Sequence, residues 1–322
     1  MVNKPSFKLL AKGKDITQRI QKNLISLSFE DKAKDESDEI SLTLNGLYAR
    51  APFGDSLELW LGYEERLNKC GTFALNSFSK NYTSNITEIR ATAINFASNV
   101  KVKKDRAFEN TNLAEIAKKI AQENNLRHKV EVCAKTFIKY ELQNNISDME
   151  FIYSLCAKYG YLACIKEQTL IIIEQKSAAL DGEKGAATKG ESNLTHTLTL
   201  GDLFDLQINI KNRNNYTGVR VSYQDIQSGT IKSVLCGKEH LVYELKIAPA
   251  KSESEALAQG MAKLNQLNIG VYEGSFSTKG ANIRAGANLI IKGISEKATF
   301  SIKDVRHELN SSGYRISVNF EG

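Results

Sequence analysis

Apolar and polar residues alternate with period two through most of the first hundred positions. Ile25, Leu27 and Phe29 are separated by serines, and Ile40, Leu42 and Leu44 by Ser41 and Thr43. Leu57, Leu59 and Leu61 alternate with Glu58 and Trp60. Such patterning predicts strands with one buried face. No helical stripe interrupts it, so residues 7–100 read as a small antiparallel barrel or sandwich. Trp60 is out of phase with its leucine neighbours and belongs on the opposite sheet face. There it meets either a neighbouring subunit or another domain of the same chain.

The pattern changes near residue 105. Asn112-x-x-Glu115 reads as a helix-opening box, followed by Leu113, Ile116, Ala117, Ile120 and Ala121 on one face. Ser147-x-x-Glu150 opens a second helix with Ile152, Leu155, Cys156 and Tyr159, stopped at Gly160. Short strands are predicted at Lys129–Cys133, Tyr161–Ile165 and Thr169–Glu174. From Lys176 to Asn193 the chain is rich in Ala, Gly, Lys, Glu and Ser, and reads as a linker or mobile loop. Strands resume at Leu206–Ile210 and Val219–Tyr223. Ser252-x-x-Glu255 opens a third helix carrying Leu257, Met261, Leu264 and Leu267.

One β-pattern occurs twice. The first copy runs Gly54-Asp55-Ser56-Leu57-Glu58-Leu59, then Phe73-Ala74-Leu75-Asn76-Ser77-Phe78, and returns through Ile89–Ala93. The second runs Gly286-Ala287-Asn288-Leu289-Ile290-Ile291, then Phe300-Ser301-Ile302-Lys303-Asp304-Val305, and returns through Tyr314–Val318. In both, the alternation slips by one residue: Phe73 and Leu75 are followed by Phe78, Phe300 and Ile302 by Val305. A one-residue slip inside a strand predicts a β-bulge, which bends strands where sheets close. The interval from Gly to the first Phe is longer in the first copy.

Composition narrows the function classes. Of 322 residues, 42% are hydrophobic, enough for packed cores, and the net charge of +6 is spread without a basic block. Basic residues do not cluster with aromatics, so direct nucleic-acid recognition is not expected. No signal segment is seen, and the longest aliphatic run, Leu170–Ile173, is too short for stable membrane insertion. Cys70, Cys133, Cys156, Cys164 and Cys236 are widely spaced and read as reduced, mostly buried thiols. His128, His196, His240 and His307 form no helix-borne metal pair, and no nucleophile elbow or phosphate-binding glycine loop occurs. No cofactor, metal or catalytic site is therefore predicted. The 37 acidic residues leave many carboxylate pairs open, but Asp148 and Glu150 read as N-terminal helix charges. His307 falls near the tip of the second hairpin, where Lys80 stands in the first, and is expected at the surface.

With this layout the chain resembles the phage late control protein D family, baseplate hub proteins of contractile-tailed phages related to the N-terminal hub part of VgrG. Three stretches carry the resemblance. They are Asn144–Ile152 running on to Lys158-Tyr159-Gly160-Tyr161, then Tyr216–Tyr223, and a closing run with Gly286, Gly293, Ile302, Val305, His307 and Gly313-Tyr314. The resemblance implies a β-rich α+β fold, with two similar antiparallel, tail-tube-like β-barrel domains separated by a small α+β domain. The corresponding boundaries are 1–102, 103–176 for the α+β domain, 177–195 for the linker, and 196–322 with a helix-containing insertion around 225–270. It implies a structural protein, not an enzyme. This would be a homotrimer whose six modules adapt a sixfold tail tube to a threefold spike, with tube, spike and other baseplate proteins as partners. Its expected place is the virion tail baseplate, after synthesis in the bacterial host cytoplasm. The chain stops at Gly322 after the closing strand, so a separate spike protein is expected to supply the tip. Candidate interface residues are Trp60, Phe78, Lys80, Tyr82, Val305 and His307. The competing reading is a tail-tip cell-wall hydrolase, or a peptidoglycan-binding module within 105–175.

Overall fold

The computed structural model describes residues 4–33, 37–64, 66–93, 102–130, 137–166, 168–174, 195–211, 216–225, 228–247, 253–268, 271–295 and 299–322. The predicted linker and Cys133 lie outside the described residues. The first portion contains β1 (Pro5–Ala11), β2 (Lys14–Asp15), α1 (Thr17–Gln21), β3 (Leu24–Lys32), β4 (Glu39–Asn45), β5 (Ser56–Tyr63), β6 (Arg66–Asn81) and β7 (Ile86–Ala93). The alternating leucines face inward as expected: Leu27, Phe29, Ile40, Leu42, Leu44, Leu59 and Leu61 are all buried. Ile25 is an exception. A register shift between Leu24 and Ser26 places it in a bulge, where it is exposed.

The middle portion contains β8 (Lys103–Asn112), α2 (Leu113–Glu123), β9 (Arg127–Val130), β10 (Phe137–Ser147), α3 (Asp148–Lys158), β11 (Tyr161–Lys166) and β12 (Thr169–Glu174). Both helices begin where the boxes predict. The Asn112 side chain accepts from the Glu115 amide at 2.9 Å, and Ser147 and Glu150 cap each other reciprocally. α2 and α3 pack over β9, β11 and β12 through a core of Leu113, Ile116, Ile120, Ile152, Leu155 and Leu170.

The last portion contains β13 (Thr195–Thr199), β14 (Leu203–Ile210), β15 (Gly218–Gln224), β16 (Ile231–Gly237), β17 (Val242–Lys246), α4 (Glu253–Asn268), β18 (Tyr272–Lys279), β19 (Asn288–Lys292), β20 (Thr299–Asn310) and β21 (Gly313–Glu321). β15–β17 and α4 form an insert between β14 and β18. Gly260 lets α4 close onto it, because a Cβ there would meet Cys236 Sγ at 2.3 Å. Leu264 of α4 is buried against this small sheet. Met261, expected on the same face, is 43% exposed. Ser252 lies outside the described residues.

The protein is mostly β, but the described residues do not form two separate closed barrels. First and last portions share one thirteen-stranded sheet, in the order β14-β18-β21-β20-β3-β4-β7-β6-β5-β1-β2, with β19 and β13 branching from β20. A single core containing Phe29, Phe73, Phe276, Phe300 and Phe320 runs beneath it. The antiparallel junction of β20 with β3 fuses what the pattern alone presented as two units.

Candidate assembly interface

The duplicated pattern is a duplicated structure. β3-β4-β7-β6-β5 corresponds strand for strand to β14-β18-β21-β20-β19. Both phase slips are bulges: β6 shifts register against β7 between Leu75 and Ser77, and β20 against β21 between Ile302 and Asp304. The glycine before each copy is tied to its bulge in the same way. Gly54 donates its amide to Leu75 O at 2.8 Å, and Gly286 donates to Ile302 O at 2.8 Å. The returning amides of Leu75 and Ile302 donate to Asp55 O and Ala287 O, both at 3.0 Å. Gly54 and Gly286 have φ of +85° and +83°, a region that suits glycine.

The bulge lets β20 change partner along one edge. Its residues 299–301 pair with β19, and residues 304–310 pair with β3. β6 behaves alike up to its bulge, pairing with β5 through Ala74. Beyond it, Ser77–Asn81 pair only with β7, and that stretch of its other edge is open among the described residues. β14, the counterpart of β3, pairs only with β18 among the described residues and there also presents an open edge.

Candidate residues divide along this line. Phe78, Lys80 and Tyr82 lie on or beside the open end of β6. Phe78 is half-buried beneath Lys80, whose Nζ is 5.8 Å from its ring, and Tyr82 is 75% exposed. Val305 and His307 occupy the matching positions of β20, and both are buried, which for His307 reverses the surface position expected. The reason is local: β3 already fills their edge, pairing Val305 with Asp31 and His307 with Phe29. His307 stacks on Phe29 with centroids 5.3 Å apart, and its Nδ1 lies 2.7 Å from Tyr314 Oη. Burial lowers its pKa to about 4. Trp60 is on the sheet face opposite the core, flanked by Lys8 and Lys69, each 5.5 Å from its ring. Its strand, β5, neighbours β6, but Trp60 pairs with Lys69, away from the open Ser77–Asn81 stretch. The open edge of β14 was not among the candidate residues. Its Ile210 is 61% exposed and Phe204 is 38% exposed.

Catalytic alternatives gain little from the geometry. A cavity of about 570 Å³ lies between the large sheet and the α+β unit, lined in part by Asp31, Asp38, Cys164, Lys166 and Arg284. Its carboxylate pair is held by Lys166, whose Nζ is 2.6 Å from Asp31 and also bonded to Asp38. Asp31 further accepts the Ala285 amide at 3.1 Å. Burial raises the Asp38 pKa despite Lys166, and the two carboxylates raise that of Lys166 against its own burial. An ion trio of this kind joins three parts of the chain. Asp148 is more than a helix-terminal charge. It is fully buried, 2.6 Å from both Lys104 and Arg106, and bonded to Asn124 and Gln143. Burial pushes its carboxyl up, but these partners together hold it below its ordinary value. Glu150 does serve the helix start, held low by the Ser147 amide and hydroxyl. Cys70, Cys156, Cys164 and Cys236 are buried thiols, and burial raises the Cys164 pKa to about 11. Among the described residues no cluster of His, Cys, Asp and Glu could hold a metal ion, and no helix is long and apolar enough to cross a membrane.

No protein-family model matches the chain. Its sequence is 27% identical over 162 residues to a probable baseplate hub protein of Escherichia phage 186, and 26% identical over 164 residues to that of Escherichia phage P2. Each match covers 48% of this chain, but only 41% and 42% of the respective relative. The fold is similar to a tail protein from Neisseria meningitidis, with a TM-score of 0.70 at 10% identity, covering 99% of this chain and 97% of that one. It is also similar to the 43 kDa tail protein of prophage MuSo2 from Shewanella oneidensis, with a TM-score of 0.67 at 12% identity, covering 98% of each. A component of the Escherichia coli type VI secretion system aligns with a TM-score of 0.55 at 11% identity, covering 92% of this chain and 73% of its own.

Proposed function

We propose that this chain is a structural hub subunit in the baseplate of a contractile phage tail or a related injection device. Three copies close into a ring that adapts a sixfold tail tube to a threefold spike. The observation that carries the reading is the β20–β3 junction. It joins two like modules inside one chain, and its two counterparts, the edges of β6 and β14, are open among the described residues. Repeating the junction between copies sets β6 of one against β14 of the next. Transferring the internal register places Phe78 opposite Ile210, Lys80 opposite Ile208, and Tyr82 opposite Leu206. Half-exposed and exposed apolar residues would then meet across the seam, each contributing on the order of 1.5–3 kcal/mol if fully buried. Such a contact is heterologous, and heterologous contacts make rings when the rotation closes. With two modules per chain, closure at three presents six similar units.

The relatives' names agree with this reading, and so does the likeness to phage tail and type VI secretion folds. The test is the solution mass of the purified chain, followed by mixing with tube and spike proteins. The expected result is a trimer that captures both. A monomer at every accessible concentration that binds neither would overturn the proposal.

A further inference from the structure

The connection that leads into each bulge is also duplicated, and its two copies have different surroundings. It runs from Gly46 to Gly54 between β4 and β5, and from Gly280 to Gly286 between β18 and β19. Both begin Gly-x-x-x-Arg-Ala, as Gly46 to Ala51 and Gly280 to Ala285, and Pro52-Phe53 lengthen the first. The same bonds frame them. Gly46 donates to Asn85 O at 2.7 Å and Gly280 to Tyr314 O at 2.9 Å, and each connection ends on the glycine tied to its bulge. Arg50 is therefore the counterpart of Arg284.

In the second module the connection clasps the first across the β20–β3 junction. The Arg284 guanidinium lies 5.7 Å from the Phe29 ring centroid and donates to Lys69 O, and the Ala285 amide donates to Asp31 at 3.1 Å. Ile283 and Phe29 are buried there. In the first module the matching stretch is bare. Residues 49–54 are all exposed, and Phe53 is 55% exposed. The Arg50 guanidinium folds back to 5.1 Å from the Phe53 ring, and among the described residues no carboxylate or carbonyl holds it. The register indicates what would cover it. β14 pairs Ile208 with Gly274 as β3 pairs Phe29 with Ile40, and Gly274 and Ile40 stand at the same distance before Gly280 and Gly46. Ile208 is thus the counterpart of Phe29, and Ile210 that of Asp31. Ile208 is half-buried where Phe29 is enclosed. A seam with Ile210 in place of Asp31 is more apolar, and Phe53, which the second connection lacks, supplies apolar surface to match.

We infer that the connection 47–53 is a clasp for a second copy of this chain, with Arg50 and Phe53 closing over Ile208 and Ile210 of the neighbouring β14. The inference rests on the trimeric hub reading and adds to its seam a contact that lies off the paired strands.

Sedimentation equilibrium of the purified chain over a range of concentrations provides the test. Phe53→Ser and Arg50→Ala are compared with the wild type and with Ile231→Ser, an exposed position of β16 in the insert. Circular dichroism first checks that each monomer is folded, and where Phe53→Ser is not, Phe53→Ala takes its place. Phe53→Ser is expected to raise the dissociation constant of the trimer at least tenfold and Arg50→Ala at least threefold, while Ile231→Ser leaves it unchanged. In an Ile208→Ser background, Phe53→Ser should lose most of its effect, because residues in contact are not additive. Wild-type assembly by both clasp variants would overturn the inference and leave the hub reading standing, as would full additivity of Phe53→Ser with Ile208→Ser. A wild-type chain that stays monomeric at every accessible concentration would overturn both.

Discussion

His307 shows how a surface expectation reverses once a neighbour is known. Its ring is enclosed by Phe29 and Tyr314, with Asp31 and Arg284 as the charged groups acting on it. Burial holds the folded pKa near 4, below the ordinary 6.5. The unfolded chain therefore binds more protons between these values, and stability is lost as pH falls from about 6.5 to about 4. The shift corresponds to roughly 3 kcal/mol. Urea unfolding at pH 7 and pH 4.5 should show a smaller drop for His307→Phe than for the wild type; equal drops would refute this account. Lys166 gives a second prediction at this scale. Lys166→Met strands Asp31 and Asp38 in a buried site and should destabilise by about 3–5 kcal/mol. Adding Asp31→Asn and Asp38→Asn should restore much of the loss in a thermal melt. Both helix caps were readable from four-residue spacings. The ion trio was not, because Asp31 and Lys166 are 135 positions apart.

At the scale of elements, the bulges were the most legible feature, since a phase slip is written in neighbouring residues. They also govern which way the open edge faces. One residue inserted at Asn76-Ser77 or Lys303-Asp304 should turn the following side chains to the other sheet face. Assembly should suffer more than from the same insertion beside Gly185, and equal trimer yields from all three would argue against the bulges. β8 and β10 were missed for the opposite reason. On their core-facing side Arg106, Glu141 and Gln143 serve ion pairs and hydrogen bonds, while Tyr140 and Leu142 are exposed. The apolar alternation that announces a strand is absent there.

For the whole molecule, the seam between copies is the point to test. Phe78→Lys and Ile210→Glu should each leave the circular dichroism of the monomer unchanged and abolish the trimer mass. Because the two positions face one another in the transferred register, the double variant should recover part of the trimer, as opposite charges across antiparallel strands attract. Absence of any recovery would count against that register. Mixing the two single variants offers a further check: a wild-type seam and an opposite-charge seam can both form, but a ring of three also contains a seam between like variants, where a charge faces an apolar residue, so closed rings should not form from them in quantity.

The sequence by itself determined the duplication, the slips, the helix starts and the β-rich character, because each depends on residues two to four positions apart. Tertiary structure decided which edges are filled and which are open. Val305 and His307 share a pattern with Phe78 and Lys80, yet one pair is buried and the other only half-buried. The difference is β3, which pairs with β20 across more than 270 positions of chain, as the Arg306–Glu30 contact does. Strand alternation specifies the face a side chain takes, but edge pairing is backbone to backbone and nearly blind to residue type. Only the folded chain therefore reveals that one junction is complete and its twin is open.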